Sequence, residues 1–221
     1  MRLIVRILKW AAILFFASTF AAVLIYRFVP VRVTPLMVIR AINPQGTVKQ
    51  QERERHWRHQ WVPVDRISRW MPAAVVASED GHFYSHHGFD FKAIEKAVEE
   101  RRSGKRKRGA STISQQTAKN VFLWPGRSWL RKGLETYFTI LIEIAWPKER
   151  IMEVYLNSIE MGAGVYGIEA AAGFYFNTTA DKLTKRQCAL IAVSLPSPLR
   201  MDPARPSAYV QKRARQIMRY M

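Results

Sequence analysis

The segment from Gly109 to Asn120 reads GASTISQQTAKN and is dense in hydrogen-bonding side chains with few charges. Its hydroxyls and adjacent amides can make many directed hydrogen bonds in a short span; they are Ser111, Thr112, Ser114, Gln115 and Gln116. Such a set suits a ligand rich in hydroxyl groups and phosphate oxygens, such as a sugar diphosphate. The segment lies between two glutamates, Glu79 and Glu135. Two carboxylates beside a sugar-binding surface are what chemistry at an anomeric carbon requires.

A cluster of basic residues follows this segment, interleaved with aromatic ones. The basic members are Lys119, Arg127, Arg131 and Lys132, and the aromatic ones are Phe122, Trp124 and Trp129. On a helix, spacings of three and four place Arg131 or Lys132 beside Glu135, where a simple surface ion pair would contribute only a few tenths of a kcal/mol. Taken together, however, the cluster suits a diphosphate attached to a lipid at a membrane surface.

The stretch Glu79 to Asp90 reads EDGHFYSHHGFD and predicts a helix that ends in a turn. Such a turn can hold the Glu79 carboxylate partly desolvated, which would raise its basicity. The alternative is an ordinary surface acid at a helix end. A metal site made by Glu79, His82 and His86 is disfavoured, because glycine and aromatic neighbours indicate a loop rather than a ligand-bearing helix.

Length and composition predict one domain with a short appendage. The chain has 221 residues, 48% of them hydrophobic, and a formal net charge of +18. The positive charge favours anionic partners, whether nucleic acid, lipid headgroups or a phosphorylated substrate. The single cysteine, Cys188, lies among apolar residues and is interpreted as a buried structural thiol, so the fold does not depend on a disulfide.

The N-terminus predicts a membrane anchor rather than a cleaved signal peptide. No charged residue occurs between Trp10 and Tyr26, and Lys9 and Arg27 flank this apolar run. Basic residues before the run place the N-terminus in the cytoplasm, although further arginines after it weaken this orientation. We therefore divide the chain into an anchor at 1–29, an irregular connector at 30–66 punctuated by prolines, and a domain at 67–221.

Periodicity and capping residues predict a mainly α-helical domain. A helix over 68–79 would deliver Glu79 at its C-terminal end, and another would start at Asp90 with Phe91, Ile94 and Val98 on one face. The strongest 3.6-residue pattern starts after Ser128 and ends at Pro147. Further helices are predicted at 148–157, 165–173, 185–194 and 206–220. No strand alternation is sustained, so at most a small hairpin is expected, and the basic run 101–108 is expected to be a loop.

Five ordered sequence patterns cover most of the predicted domain. The pattern ED-x-x-F-x-x-H-x-G-x-D occurs at Glu79, Asp80, Phe83, His86, Gly88 and Asp90. The pattern G-x-STI-x-QQ-x-x-KN occurs at Gly109, Ser111, Thr112, Ile113, Gln115, Gln116, Lys119 and Asn120. RK-x-x-E occurs at Arg131, Lys132 and Glu135. KE-x-I-x-E-x-YLN, followed by glycines, occurs at Lys148, Glu149, Ile151, Glu153, Tyr155, Leu156, Asn157, Gly162 and Gly167, and ALIAVSLPSP occupies 189–198.

In these patterns the chain resembles the peptidoglycan glycosyltransferases of glycosyltransferase family 51, and in particular their monofunctional, membrane-anchored members. Five motifs in register leave little room for coincidence. Two departures are mild: Ser114 stands where threonine is common, and Ser197 where asparagine often follows the proline. The resemblance implies a lysozyme-like helical fold with a small membrane-associated lobe near 105–130, preceded by one transmembrane helix.

The resemblance also implies a reaction. The donor would be a growing glycan on a lipid diphosphate and the acceptor lipid II, with undecaprenyl diphosphate released. Glu79 would be the general base that activates the acceptor's 4-hydroxyl, which forms a β-1,4 bond with inversion. Glu135 would stand on the leaving-group side, where it would organise the basic residues or hold a divalent cation, Mg or Mn, on the diphosphate. No organic cofactor is expected.

The substrate-binding residues implied by the motifs are Asp80, Ser111, Thr112, Gln115, Gln116, Lys119, Asn120, Arg127, Arg131, Lys132, Glu153 and Asn157. Of these, Glu153 and Asn157 are expected to shape the site rather than perform chemistry. The implied location is the bacterial inner membrane, with the catalytic domain in the periplasm and other cell-wall synthesis proteins as further candidate partners.

Two other classes of protein remain open from the residues alone. A lysozyme-like lytic transglycosylase would cut glycan with one acid and would need no basic cluster around Lys119. A membrane-anchored nucleic-acid-binding protein is suggested by the net charge. The two glutamates speak against it, because their carboxylates would repel phosphates unless a cation intervened.

The sequence makes one prediction about the membrane. Removing residues 1–29 should leave a folded, active domain that still binds anionic bilayers, because the proline-punctuated connector should leave few core contacts to lose. The four basic residues removed take the formal net charge only from +18 to +14, and each basic residue near an anionic surface contributes up to ~1 kcal/mol. Sedimentation with anionic and neutral vesicles at low and high salt measures this. Binding that vanishes entirely on truncation would show that the anchor alone localises the chain.

Overall fold

A computed structural model describes residues 2–104 and 109–221, so the last four residues of the predicted basic loop lie outside the described residues. In chain order the elements are α1 (Arg2–Phe28), α2 (Pro35–Ile42), α3 (Val48–Arg55), β1 (Arg58–His59), α4 (Trp70–Glu79), α5 (Phe91–Arg102), α6 (Ile113–Phe122), α7 (Trp129–Ala145), α8 (Lys148–Ser158), β2 (Glu160–Gly162), β3 (Val165–Tyr166), α9 (Ile168–Phe176), α10 (Lys185–Ser194) and α11 (Ala208–Ile217). The predicted mainly helical fold is confirmed.

Most predicted helix boundaries are confirmed, and the capping chemistry explains them. Asp90 caps α5 by accepting the Ala93 amide, and Ser128 caps α7 by accepting the Arg131 amide. Helix α7 ends at Ala145, two residues before Pro147, because proline cannot continue the backbone hydrogen-bond ladder.

One predicted helix starts later than expected. Residues 165 and 166 form β3 instead of the first turn of a helix, and α9 begins only at Ile168. Between them stands Gly167 with φ of +78°, a backbone conformation that side chains rarely adopt. A Cβ at this position would lie 2.5 Å from the Asn157 carbonyl oxygen, so the close approach to α8 also requires glycine.

The expected irregularity of residues 30–66 is wrong. Pro35 starts α2 after Thr34, which caps it, and α3 opens with a capping box between Thr47 and Gln50. Prolines usually indicate the end of a helix or an irregular segment. A proline in the first turn of a helix, however, has no amide hydrogen bond to lose. The segment is also tied to the domain, because β1 pairs in parallel with β3, which forms the expected hairpin with β2.

The core is built around two central helices. Helix α6 packs against α7 and α8, and α10 packs against α4 and α11. Helix α6 buries Ile113, Ala118 and Val121, and Phe122 stacks on Phe138 with ring centroids 4.5 Å apart. Helix α6, in the middle of the lobe expected near 105–130, is therefore part of the core, and Phe122 packs against that core. The exposed apolar part begins after α6, where Trp129 is 94% and Leu130 69% exposed.

Helix α1 has the length and apolar composition to cross a membrane. Its C-terminal half nevertheless packs on the domain. Val23 is fully buried and its carbonyl accepts the Trp146 indole N–H at 2.8 Å, while Thr19 Oγ1 lies 2.8 Å from the Tyr137 hydroxyl oxygen. Arg150 donates to the carbonyls of Tyr26 and Val29. The expectation that few contacts would be lost on truncation is therefore wrong.

Removing residues 1–29 should lower the unfolding free energy by at least about 2 kcal/mol, because it exposes the surface under Val23 and takes away the acceptor of Trp146. Chemical denaturation in detergent, with Trp146→Phe introduced into both the full and the truncated chain, measures the effect. We expect the substitution to be less destabilising, by about 1 kcal/mol, in the truncated chain. Strictly additive effects would contradict the proposed contact between the anchor and the domain.

Candidate active site

Glu79 is the last residue of α4, and its carboxylate lies between two cavities. One, of about 260 Å³, is bounded by the loop after α4, by α5 and by residues 109–112. The other, of about 650 Å³, is lined by Lys212, Arg213 and Tyr209 of α11 together with residues after α10. The Glu79 carboxylate accepts the Gln116 side-chain amide at 3.1 Å and the Ser78 hydroxyl at 3.5 Å. A base at this position can reach a hydroxyl group in either cavity.

Asp80 holds the start of α6 against the end of α4. Its carboxylate accepts His86 Nε2 at 2.9 Å and the backbone amide of Ile113 at 2.9 Å. Asp80 is only 6% exposed, and this geometry favours a positioning role rather than direct contact with substrate. In the same loop, Asp90 accepts the Ala93 amide and His82 Nδ1, and these hydrogen bonds hold the Asp90 pKa below its usual range.

Two of the predicted substrate-binding side chains form the N-terminal cap of α6. The Thr112 hydroxyl accepts the Gln115 amide and donates to the Gly88 carbonyl, and the Gln115 side chain accepts the Thr112 amide. Both residues are buried. Their hydrogen bonds within the protein position α6. The neighbouring Ser111 is exposed and is open to a ligand.

Gln116 connects Glu79 to the interior of the domain. Its side-chain oxygen accepts the Tyr155 hydroxyl at 3.2 Å, which turns the amide N–H₂ toward Glu79. Burial, followed by the charges of Glu79 and Asp80, raises the Tyr155 pKa well above its usual value. Tyr155 therefore stays a hydrogen-bond donor, and the Gln116 amide has one orientation. Sequence analysis did not single out Tyr155, although it stands within the fourth motif.

On the other side of Gln116 lies a cavity of about 370 Å³ that is lined with cations. Lys119 and Asn120 from α6, Arg127 from the following loop and Arg131 from α7 face it, as does Gln116 itself. Pro196 lines both this cavity and the larger one beside Glu79. The structure thus brings together the predicted base and three of the predicted phosphate-binding cations along one groove.

Glu135 organises the cations at this cavity. It is 3% exposed, accepts Arg131 Nη1 at 2.7 Å and also pairs with Lys132. Burial lowers the Lys119 pKa, and the opposing attraction of Glu135 raises it. Each carboxylate oxygen of Glu135 already pairs with a side-chain cation. A divalent cation held by Glu135 on the diphosphate stays a prediction.

Glu153 and Asn157 lie away from these cavities and hold the segment before α4. The Asn157 side chain accepts the Val62 amide at 2.9 Å and donates to the Val62 carbonyl at 2.8 Å. Glu153 accepts the Val64 amide at 3.3 Å and Arg150 Nη1 at 2.6 Å. Neither side chain lines one of these three cavities, and the expectation that they shape the site stays a prediction.

Comparison with known proteins gives a single answer. A sequence model described as Transglycosylase matches residues 45–221. The chain belongs to the transglycosylase family. It is 60% identical to the biosynthetic peptidoglycan transglycosylase of Bacteroides thetaiotaomicron, over 98% of this chain and 87% of that protein. It is 52% identical to the protein of the same description from Caulobacter vibrioides, over 98% of this chain and 90% of that protein, and 55% identical to that from Bdellovibrio bacteriovorus, over 95% and 84%.

The cationic cavity of this transglycosylase predicts tight anion binding. Lys119→Ala and Arg127→Ala should each weaken binding of the phosphoglycolipid moenomycin by roughly 10- to 100-fold, because a charge-assisted hydrogen bond contributes roughly 1.5–3 kcal/mol. Isothermal titration of the full chain in detergent measures the affinity. Lys182→Ala, an exposed lysine outside the cavity, is the control and should change nothing. Unchanged affinity in both cavity variants would remove these residues from the phosphate site.

Proposed function

We propose that this chain polymerises the glycan strands of peptidoglycan from lipid II and releases undecaprenyl diphosphate. One observation carries the proposal: Gln116 hydrogen-bonds to the Glu79 carboxylate and also lines the cavity that contains Lys119, Arg127 and Arg131. A base and a set of cations therefore stand on opposite sides of one side chain. This is the arrangement that transfer of a sugar away from a diphosphate requires.

The reaction proceeds by displacement at the anomeric carbon. The acceptor's 4-hydroxyl binds beside Glu79, which takes its proton as the oxygen attacks the donor's C1. The bond between C1 and the phosphate oxygen breaks, and its electron pair leaves with the diphosphate. Because attack and departure occur on opposite faces of the ring, the α-linked donor gives a β-1,4 bond.

The leaving diphosphate needs charge neutralisation more than protonation. Lys119, Arg127 and Arg131 face the position that it would occupy. Glu135 holds Arg131 and Lys132 in place before substrate arrives, so little reorganisation is needed at the moment of reaction. In this proposal Glu135 acts through the cations and does not contact the sugar.

The cationic cavity also separates this function from glycan cleavage. A lytic transglycosylase acts on an uncharged polymer and has no use for a cavity lined by Lys119, Arg127 and Arg131 beside its acid. For nucleic acid, the groove would place phosphates against Glu79 as well as against the cations. A lytic transglycosylase would not use the cations, and a nucleic acid would not use Glu79.

The proposed location is the bacterial inner membrane. Helix α1 would cross it once, with the N-terminus in the cytoplasm and the domain in the periplasm, where the lipid-linked donor and acceptor are presented. The exposed Trp129 and Leu130 stand in the chain between Arg127 and Arg131, which line the cationic cavity, and they suit contact with lipid tails while the diphosphate enters it. Other cell-wall synthesis proteins are further proposed partners.

The decisive variant is Glu79→Gln. It should lower the polymerisation rate by ~10²–10⁴-fold, because a positioned base is lost, while the thermal midpoint stays unchanged since glutamine can still accept the Gln116 hydrogen bond. Glu95→Gln, an exposed glutamate on α5, is the matched control. Labelled lipid II with separation of long glycan from soluble fragments measures the reaction. Turnover close to that of the parent chain would rule out Glu79 as the base, and soluble fragments from preformed glycan would favour cleavage instead.

A further inference from the structure

The cationic cavity contains a charged pair that no sequence motif includes. Arg40 of α2 and Glu160 of β2 both line it, together with Lys119 and Arg131. Arg40 also lies outside residues 45–221, the range that the family model matches. The segment between the membrane anchor and the motif-bearing domain therefore supplies a guanidinium to the active site.

The position of Arg40 follows from the packing of α2. Met37 is fully buried, and helix α2 packs against α6. A spacing of three residues places Arg40 on the same face of the helix as Met37, one turn further on. Thr34 caps the helix by accepting the Met37 amide at 3.3 Å, so the orientation of this face is set by a cap and by a core residue.

The described part of the protein does not provide a hydrogen-bond partner for every polar atom of Arg40 and Glu160. Arg40 Nε lies 3.6 Å from Glu160 Oε1, which is longer than a hydrogen bond. Among the described residues, neither of these two atoms has a hydrogen-bond partner, although both are buried. Glu160 is 9% exposed. A buried guanidinium N–H without an acceptor is destabilising.

The electrostatics around Glu160 leave the charge of Arg40 available. Burial, followed by the negative charge of Glu54, raises the Glu160 pKa to about 7, against the opposing pull of Arg40 and Lys119. The titratable groups near Glu160 are Arg40 from α2, Glu54 from α3, Lys119 from α6, the buried Tyr166 hydroxyl from β3 and Tyr175 from α9. Near neutral pH, Glu160 is thus partly protonated and neutralises Arg40 only in part.

We propose that Arg40 is a phosphate-binding residue of the donor site and that Glu160 is the positioning residue that holds its guanidinium toward the cavity. A guanidinium binds two phosphate oxygens at once, which suits a diphosphate better than a point charge does. The ligand is the lipid-linked diphosphate of the proposed function, so the inference rests on that function. Arg40 would be a fourth cation beside Lys119, Arg127 and Arg131. It belongs to α2, the first helix after α1.

The test uses the full chain in detergent with moenomycin as the phosphate probe and lipid II as substrate. Arg40→Ala should raise the dissociation constant of moenomycin roughly tenfold or more and raise the KM for lipid II, while Arg40→Lys should be intermediate. The control is Arg32→Ala, which removes an exposed arginine eight positions earlier and should leave both values within about twofold of the parent. If Arg40→Ala binds and reacts like the parent, the proposal is overturned.

Arg40→Ala leaves Glu160 without its partner, so Arg40→Ala/Glu160→Gln provides a second test of the same kind. This double variant removes both charges of the pair and should keep the thermal midpoint of the parent, yet still bind moenomycin roughly tenfold more weakly. Parental affinity in a folded double variant would overturn the assignment. Failure of the proposed function looks different, because the parent chain itself would then neither polymerise lipid II nor bind moenomycin.

A pH series separates the role of Glu160 from simple packing. Above pH 7 the Glu160 carboxylate ionises and adds a negative charge to the cavity, so the parent's affinity for a phosphodiester should fall as the pH rises from 6 to 8.5. Burial lowers the Lys119 pKa and the Glu160 carboxylate partly offsets this, so loss of that carboxylate can only steepen the profile through Lys119. Glu160→Gln should nevertheless show a flatter profile than the parent. Identical profiles would remove Glu160 from the site.

Discussion

The active site depends on one buried carboxylate. Asp80 accepts hydrogen bonds from the His86 side chain and from the first amide of α6, and so it joins the end of α4 to the start of α6. An anion at a helix N-terminus is stabilised by the unpaired amides and by the helix dipole. This junction sets Glu79 beside Gln116, one turn into α6, and the geometry of the remaining groove follows from it.

From that junction the site divides into two electrostatic halves. Glu79 faces the cavities of about 260 and 650 Å³, and the cations lie on the other side of Gln116. Like charges packed this closely would repel each other, and Glu135 offsets the repulsion by pairing with Arg131 and Lys132. An anionic ligand therefore finds the cations already arranged. Bringing like charges together in the folded protein lowers its free energy of unfolding. Such a loss of stability is common for a preorganised site.

The anchor and the catalytic domain form one continuous structure. Helix α1 contacts α7 through Thr19 and Tyr137 and also accepts a hydrogen bond from Trp146, just after α7. The short helices that follow α1 bring Arg40 to the cavity. Helix α7 thus contacts α1, carries Glu135 with its partners Arg131 and Lys132, and begins with the exposed Trp129. The depth of the anchor in a bilayer and the position of the phosphate site are consequently coupled through packed helices rather than separated by a loose linker.

Local chemistry accounts for most of the helices and for the chemical character of the site. Capping residues such as Asp90 and Ser128, the 3.6-residue spacing of apolar side chains in α7 and the stop at Pro147 act within one turn of the chain, and so their effects can be predicted from the sequence. The same holds for the motif residues, whose types indicate a sugar diphosphate. The helices at 35–42 and 48–55 were missed because they are only two turns long, and such helices depend on tertiary packing for their stability.

The sequence by itself determined a helical, membrane-anchored transglycosylase with Glu79 and a set of cations at its centre. Only the tertiary structure decided how those residues divide their roles. Thr112, Gln115 and Asp80 turned inward to hold α6, whereas Gln116 turned toward Glu79, although all four are polar residues in the same motifs. Arg40 and Glu160 meet from segments 120 residues apart in the chain. Contacts over such separations are set by how the helices pack, and no local pattern of residues records them.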